Sequence, residues 1–93
     1  LYNGIAYFET GNFKNALINF DKQLKFSRNL SADAKYYKAQ ILQAENKIAE
    51  SKELIDSAIK DFNAGYYNNR DYVETLRQIY IEDLTDFKKQ LND

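Results

Sequence analysis

Ninety-three residues without one proline, and with glycine only at Gly4, Gly11 and Gly65, leave few places where a helix can be interrupted. An interior proline costs a helix about 3 kcal/mol and an interior glycine about 1 kcal/mol, so their scarcity pushes the chain toward helix along its whole length. No segment reads as a strand. The chain also lacks His, Cys, Met and Trp. Without His or Cys there is no Ser-His-Asp or Cys-His nucleophile, no nitrogen- or sulfur-ligated zinc site, no haem or iron–sulfur ligation and no disulfide framework.

Charge narrows the partners. Thirteen basic side chains against 14 acidic ones give a formal charge of -1 with no basic block, which lacks the footprint that phosphate-backbone binding requires. Nucleic acid is not expected as a partner. The longest apolar runs, such as Ile5-Ala6-Tyr7-Phe8, fall far below the ~20 residues that span a bilayer, so membrane insertion is not expected either. A start at Leu1 and the absence of methionine suggest a piece of a longer chain.

Periodicity divides the chain into about five helices. Leu1, Ile5 and Phe8 share one face of a first helix that ends at Gly11-Asn12, a helix stop followed by an N-cap. From Phe13 to about Phe26 the apolar residues Phe13, Ala16, Leu17, Phe20 and Leu24 keep helical step. Asn29-Leu30-Ser31 reads as linker and N-cap of a third helix, with Asp33 in its first turn and Tyr36, Ala39, Leu42 and Ala44 along it. Asn46-Lys47 makes the next turn. A fourth helix carries Ile48, Ser51, Ile55, Ala58, Ile59 and Phe62, and its end is placed at Asn68-Asn69, beyond Gly65. The capping box Asp71-x-x-Glu74 then opens a fifth helix of about 20 residues striped by Val73, Leu76, Tyr80, Leu84, Phe87 and Leu91.

An internal period accompanies this pattern. Gly4, Tyr7, Ala16 and Phe20 are matched in size, 35 residues later, by Ala39, Leu42, Ser51 and Ile55. Small residues where two helices cross permit close approach, and the larger ones fill the space beside them, so Gly4 should face Ala16 and Ala39 should face Ser51. The run Ala-Tyr-Phe-x-x-Gly-Asn-Phe-x-x-Ala-Leu from Ala6 to Leu17 resembles the tetratricopeptide repeat (TPR) family. Asn3, Lys35, Lys38, Arg28 and Asn63 depart from that family's preferences. The resemblance implies an all-α, right-handed superhelical array of antiparallel helix-turn-helix units. Residues 1–28 would form a truncated first repeat and 31–62 a second. Residues 63–93 would be a partial third repeat or a capping helix, with Asn69 to Leu76 looking like the opening of another unit.

The resemblance further implies a non-catalytic module that holds a peptide or partner segment in a concave groove lined by first helices. The groove positions here are Leu1, Ile5, Phe8 and Glu9, then Asp33, Tyr36, Gln40 and Gln43, with Tyr67 as a third-unit addition. Leu1, Ile5 and Phe8 could equally serve to contact a preceding repeat. Leu1, Ile5, Tyr36 and Tyr37 stand where carboxylate-gripping members of the family carry Lys or Asn, so capture of a C-terminal carboxylate is not implied.

Other chemistry is thin. Eight tyrosines, with pairs at Tyr36-Tyr37 and Tyr66-Tyr67, raise an aromatic platform as one reading and half-buried packing as the other. The carboxylate pairs Glu50/Glu53 and Asp83/Asp86 each share a helical face, but they lie among lysines and polar residues typical of a solvated surface. No phosphate loop or calcium loop is present, so neither cofactor nor metal is expected. The fifth helix adds Tyr72, Ile79 and Ile81 to its stripe, more apolar surface than one seam covers, which makes homo-oligomerisation through that helix the rival function.

Overall fold

The computed structural model describes residues 2–67 and 79–92, and shows five helices with no strand among the described residues. They are α1 (Tyr2–Glu9), α2 (Phe13–Phe26), α3 (Ser31–Ala44), α4 (Ile48–Asn63) and α5 (Ile81–Asn92). Each helix packs on the next in chain order, and α1 also reaches α3.

Three residues in the left-handed region end three of the helices. At the end of α1, Gly11 (φ 81°) and Asn12 donate their N–H groups to the carbonyls of Phe8 and Tyr7, at 3.1 and 2.8 Å. At the end of α3, Asn46 (φ 64°) and Lys47 donate in the same register to Gln43 and Leu42, at 2.9 and 2.8 Å. At the end of α4, Gly65 (φ 94°) and Tyr66 donate to Phe62 and Asp61, at 3.0 and 2.9 Å. Each is a Schellman motif, in which the reversed chain satisfies carbonyls that the helix leaves unpaired.

The third of these corrects the sequence-based boundary. Gly65, not Asn68-Asn69, ends α4, because a residue without Cβ adopts the left-handed conformation at no steric cost. Tyr67 therefore does not extend the helix and instead stacks on Phe62, with ring centroids 3.9 Å apart. The predicted fifth helix is also shorter. Ile79 and Tyr80 are not helical, and α5 starts at Ile81. The Tyr80 N–H donates to Asp83 Oδ2 at 2.8 Å while the Asp83 N–H donates to the Tyr80 carbonyl at 3.0 Å, the reciprocal pairing of a helix start. The expected box at Asp71 and Glu74, and the stripe members Val73 and Leu76, lie outside the described residues.

Asn12 caps α2 as expected, its side chain accepting from the Asn15 N–H at 3.4 Å. Ser31 does not cap α3. It is the first helical residue, Leu30 stands at the cap without a side-chain bond, and the Ala32 N–H donates instead to the Tyr66 carbonyl at 2.9 Å. A tertiary contact thus replaces the local cap.

Two cores flank α3. One joins Ile5, Ala16, Phe20, Ala34, Tyr37 and Ile41, and the other joins Ala32, Ala39, Ile55, Ala58, Ile79, Leu84, Phe87 and Leu91. Eight of the 14 residues of α3 are buried, on more than one face, while Ala44 at its end is exposed. The Ala39–Ser51 approach is as expected: the Ser51 hydroxyl donates to the Ala39 carbonyl at 2.7 Å in the buried crossing. Gly4 does not face Ala16 first. A Cβ there would lie 2.7 Å from Cε1 of the buried Phe20 ring and 3.2 Å from Cβ of Asn19. None of the described helices is long and apolar enough to cross a membrane.

Gly4→Ala is expected to lower stability by about 1–2 kcal/mol, since crowding a fully packed ring outweighs the gain in helix propensity. Asn46→Gly should raise stability by about 0.5–1 kcal/mol by removing a left-handed Cβ. Urea midpoints measure both, and a raised midpoint for Gly4→Ala would mean that Phe20 yields freely.

Candidate functional site

Helices α1 and α3 and the C-terminal segment share one cleft. The cleft, of about 120 Å3, is lined by Phe8 and Glu9 of α1, Tyr36, Tyr37 and Gln40 of α3, and Ile79 and Asp83 of the C-terminal segment. Helical spacing sets the α3 contribution, because Tyr36 and Gln40 are one turn apart and share a face. Aromatic packing sets the floor. Phe8 meets the Tyr37 ring edge-on at 5.4 Å, Tyr37 lies 5.5 Å from Tyr36, and Tyr36 meets Phe87 of α5 edge-on at 6.0 Å.

Of the eight residues expected to line a groove, four line this cleft: Phe8, Glu9, Tyr36 and Gln40. The other four fall elsewhere. Ile5 is 6% exposed and belongs to the core with Ala16 and Phe20, because α2 and α3 close over that face of α1. Asp33 is 1% exposed, held by interactions inside the molecule and not offered to a partner. Gln43 is half-buried but does not line the cleft, and Leu1 lies outside the described residues. Tyr67, the further candidate, packs on Phe62 against the second core.

Sequence reading missed Tyr37, Ile79 and Asp83. The apolar stripe predicts Ile79 as a surplus residue of one continuous helix, yet it lies outside α5 and is 2% exposed in the second core. Asp83 and Asp86, which the sequence assigns to one solvated helical face, differ in their surroundings. The Asp83 carboxylate accepts the Tyr80 N–H, whereas Asp86 is exposed, as are Glu50 and Glu53. The helix-start pattern of a carboxylate three residues after Tyr80 was the available signal, overshadowed by the stronger-looking box at Asp71.

The cleft is chemically one-sided. Two carboxylates, Glu9 and Asp83, and the Gln40 amide border an aromatic floor, and among the described residues no Lys or Arg lines it. Such a site suits a cation with an apolar stem: the charged head meets carboxylates while the stem lies on rings. A larger hollow of about 370 Å3 lies between Leu24, Arg28, Ser31, Lys35, Asp61 and Tyr66. It is crossed by its own ion pair, with Lys35 Nζ 2.5 Å from Asp61 and 2.7 Å from the Ser57 hydroxyl. Among the described residues no group of three or more Asp or Glu side chains is gathered as a metal site would require.

Of the residues that add to the α5 stripe, Ile79 is buried in the second core, while Tyr72 lies outside the described residues. Leu84, Phe87 and Leu91 are buried in the second core, leaving Tyr80 exposed and Ile81 half-buried. Phe87 is consequently a core residue and not an oligomerisation handle. Among the tyrosines whose side chains are described, Tyr37 is buried, Tyr36, Tyr66 and Tyr67 are half-buried, and Tyr7 and Tyr80 are exposed.

No family model, curated protein or solved structure matches this chain.

Because Asp83 both borders the cleft and starts α5, Asp83→Ala should cost about 1 kcal/mol of stability. Asp56→Ala, which removes the exposed 2.7 Å pair with Lys88, should cost at most about 0.5 kcal/mol. Equal losses in chemical denaturation would refute the assigned capping role.

Proposed function

We propose that this chain is a non-catalytic protein-interaction module, built as a TPR-like helical array, that holds a partner segment in the cleft between α1, α3 and the start of α5. The observation that carries the reading is the convergence of Phe8, Glu9, Tyr36 and Gln40 on one cleft with acidic and amide groups at its border and rings at its base. The repeat pattern of small and large residues, and the matching turns at Gly11 and Asn46, support a stack of helical hairpins whose first helices share a face.

The chemistry of the lining narrows the partner to a peptide segment presenting a Lys or Arg side chain. A guanidinium or ammonium inserted there would neutralise Glu9 and Asp83 and lay its methylenes on Phe8 and Tyr36. The remaining contacts would come from the half-buried face of α3, where Gln43 lies one turn beyond Gln40.

Selection from a random-peptide display library should enrich sequences with a central Lys or Arg. The exposed Glu9 permits a test that leaves the core intact: Glu9→Lys should weaken the selected peptides by about tenfold or more, equivalent to about 1.4 kcal/mol. Peptides without a basic residue, or binding indifferent to both Glu9→Lys and Gln40→Ala in fluorescence anisotropy, would overturn the assignment.

A further inference from the structure

A second surface, away from the cleft, has opposite charge on its two edges. On α2, Ile18 is 49% exposed, and Lys14 and Lys22 stand one turn before and one turn after it, both exposed. Asp21, three residues on from Ile18, is ion-paired at 2.7 Å with Lys38 of α3, which fixes the direction this stripe faces. On the other side of Lys38 a shallow trough of about 290 Å3 runs between α3 and α4, with Leu42 and Leu54 at its base and the exposed Glu50 and Glu53 along its edge. One face thus carries a basic edge with an apolar knob on α2, a neutralised centre on α3, and an acidic edge with an apolar trough on α4.

We propose that this face docks a second copy of the same chain about a two-fold axis lying in the contact plane along α3. That rotation places the α2 edge of each copy on the α4 edge of the other, so the lysines beside Ile18 meet Glu50 and Glu53 twice, and Ile18 enters the Leu42–Leu54 trough twice. An isologous contact requires a surface complementary to itself, and a two-edged surface of opposite sign satisfies that requirement. A partner of uniform charge would gain at one edge and be repelled at the other. The neutral centre matters as well, since the Asp21–Lys38 pair stays within each copy and presents no like charge on the axis. With one apolar knob per copy and rim charges setting the register, the dimer is weak and salt-sensitive. The surface is distinct from the peptide cleft, so pairing would leave that cleft uncovered and present two clefts per particle.

Sedimentation velocity of the full chain from micromolar to submillimolar concentration tests this, at low salt and again near 1 M salt, where the Debye length shrinks to about 3 Å. The wild type should form dimers that weaken by about tenfold or more in high salt. Lys14→Glu with Lys22→Glu should be monomeric, as should Glu50→Lys with Glu53→Lys, since each makes both edges alike in sign. Mixing the two variants should restore a dimer of one chain of each, because both contacts become complementary again. All four substitutions are at exposed positions, and circular dichroism checks that both variants stay helical. A wild type that stays monomeric at low salt, dimers indifferent to the reversals, assemblies larger than a dimer, or a mixture that fails to pair would each overturn the proposal. Peptide binding measured on the monomeric variants separates it from the cleft: loss there would count against the cleft, not against the dimer.

Discussion

The narrowness of α3 is the constraint on which the rest of the architecture depends. Ala32, Ala34 and Ala39 give this helix three positions with almost no side chain, and all three are completely buried. Small side chains let neighbouring backbones approach, so α3 shares one core with α1 and α2 and the other with α4 and α5. The buried 2.7 Å bond from the Ser51 hydroxyl to the Ala39 carbonyl marks how near α4 comes. A helix packed from two sides buries more than one stripe, which is why its apolar residues are spread around it instead of gathered on one face.

Adjacent tyrosines divide the labour between the two cores. Tyr37 stacks on Phe20, with centroids 5.8 Å apart, and belongs to the first core; Tyr36 packs against the second and meets Phe87 edge-on. Successive helical residues point about 100° apart, so one dipeptide reaches both. The cleft forms where those two rings, Phe8 and Ile79 fail to close completely. Packing that stabilises the cores therefore also shapes the candidate site, and the polar groups at its border, Glu9, Gln40 and Asp83, are those whose helices deliver them to that opening.

Local rules carried the N-terminal two-thirds of the chain well. The bounds of α2, the turns at Gly11-Asn12 and Asn46-Lys47, and the start of α4 at Ile48 follow from periodicity, capping residues and left-handed turn residues, all properties of a few neighbouring positions. Misplacement began where two local signals competed. At Gly65 the tyrosines beyond it continue a helical pattern, yet the glycine conformation prevails, and the freed chain lets the Tyr66 carbonyl accept the Ala32 N–H. Near Ile79 a continuous stripe suggested one long helix. The stripe could not reveal that Ile79 would leave the helix to enter the second core, with Asp83 starting α5 afresh.

By itself, the sequence determined the helical class of the described residues, the turns that follow α1 and α3 and the close Ala39–Ser51 crossing, because these depend on backbone conformational preference and hydrophobic spacing within a few turns. Phe8, Glu9, Tyr36 and Gln40, groove positions that the family resemblance implies, line one cleft. Only the tertiary structure decided that Ile5 and Asp33 are enclosed, that Ile79 and Asp83 complete the cleft, and that α2 and α4 offer opposite charges on one face. Those outcomes depend on which helices become neighbours. Burial and charge pairing are set by distances between residues far apart in the chain, which the local pattern does not encode.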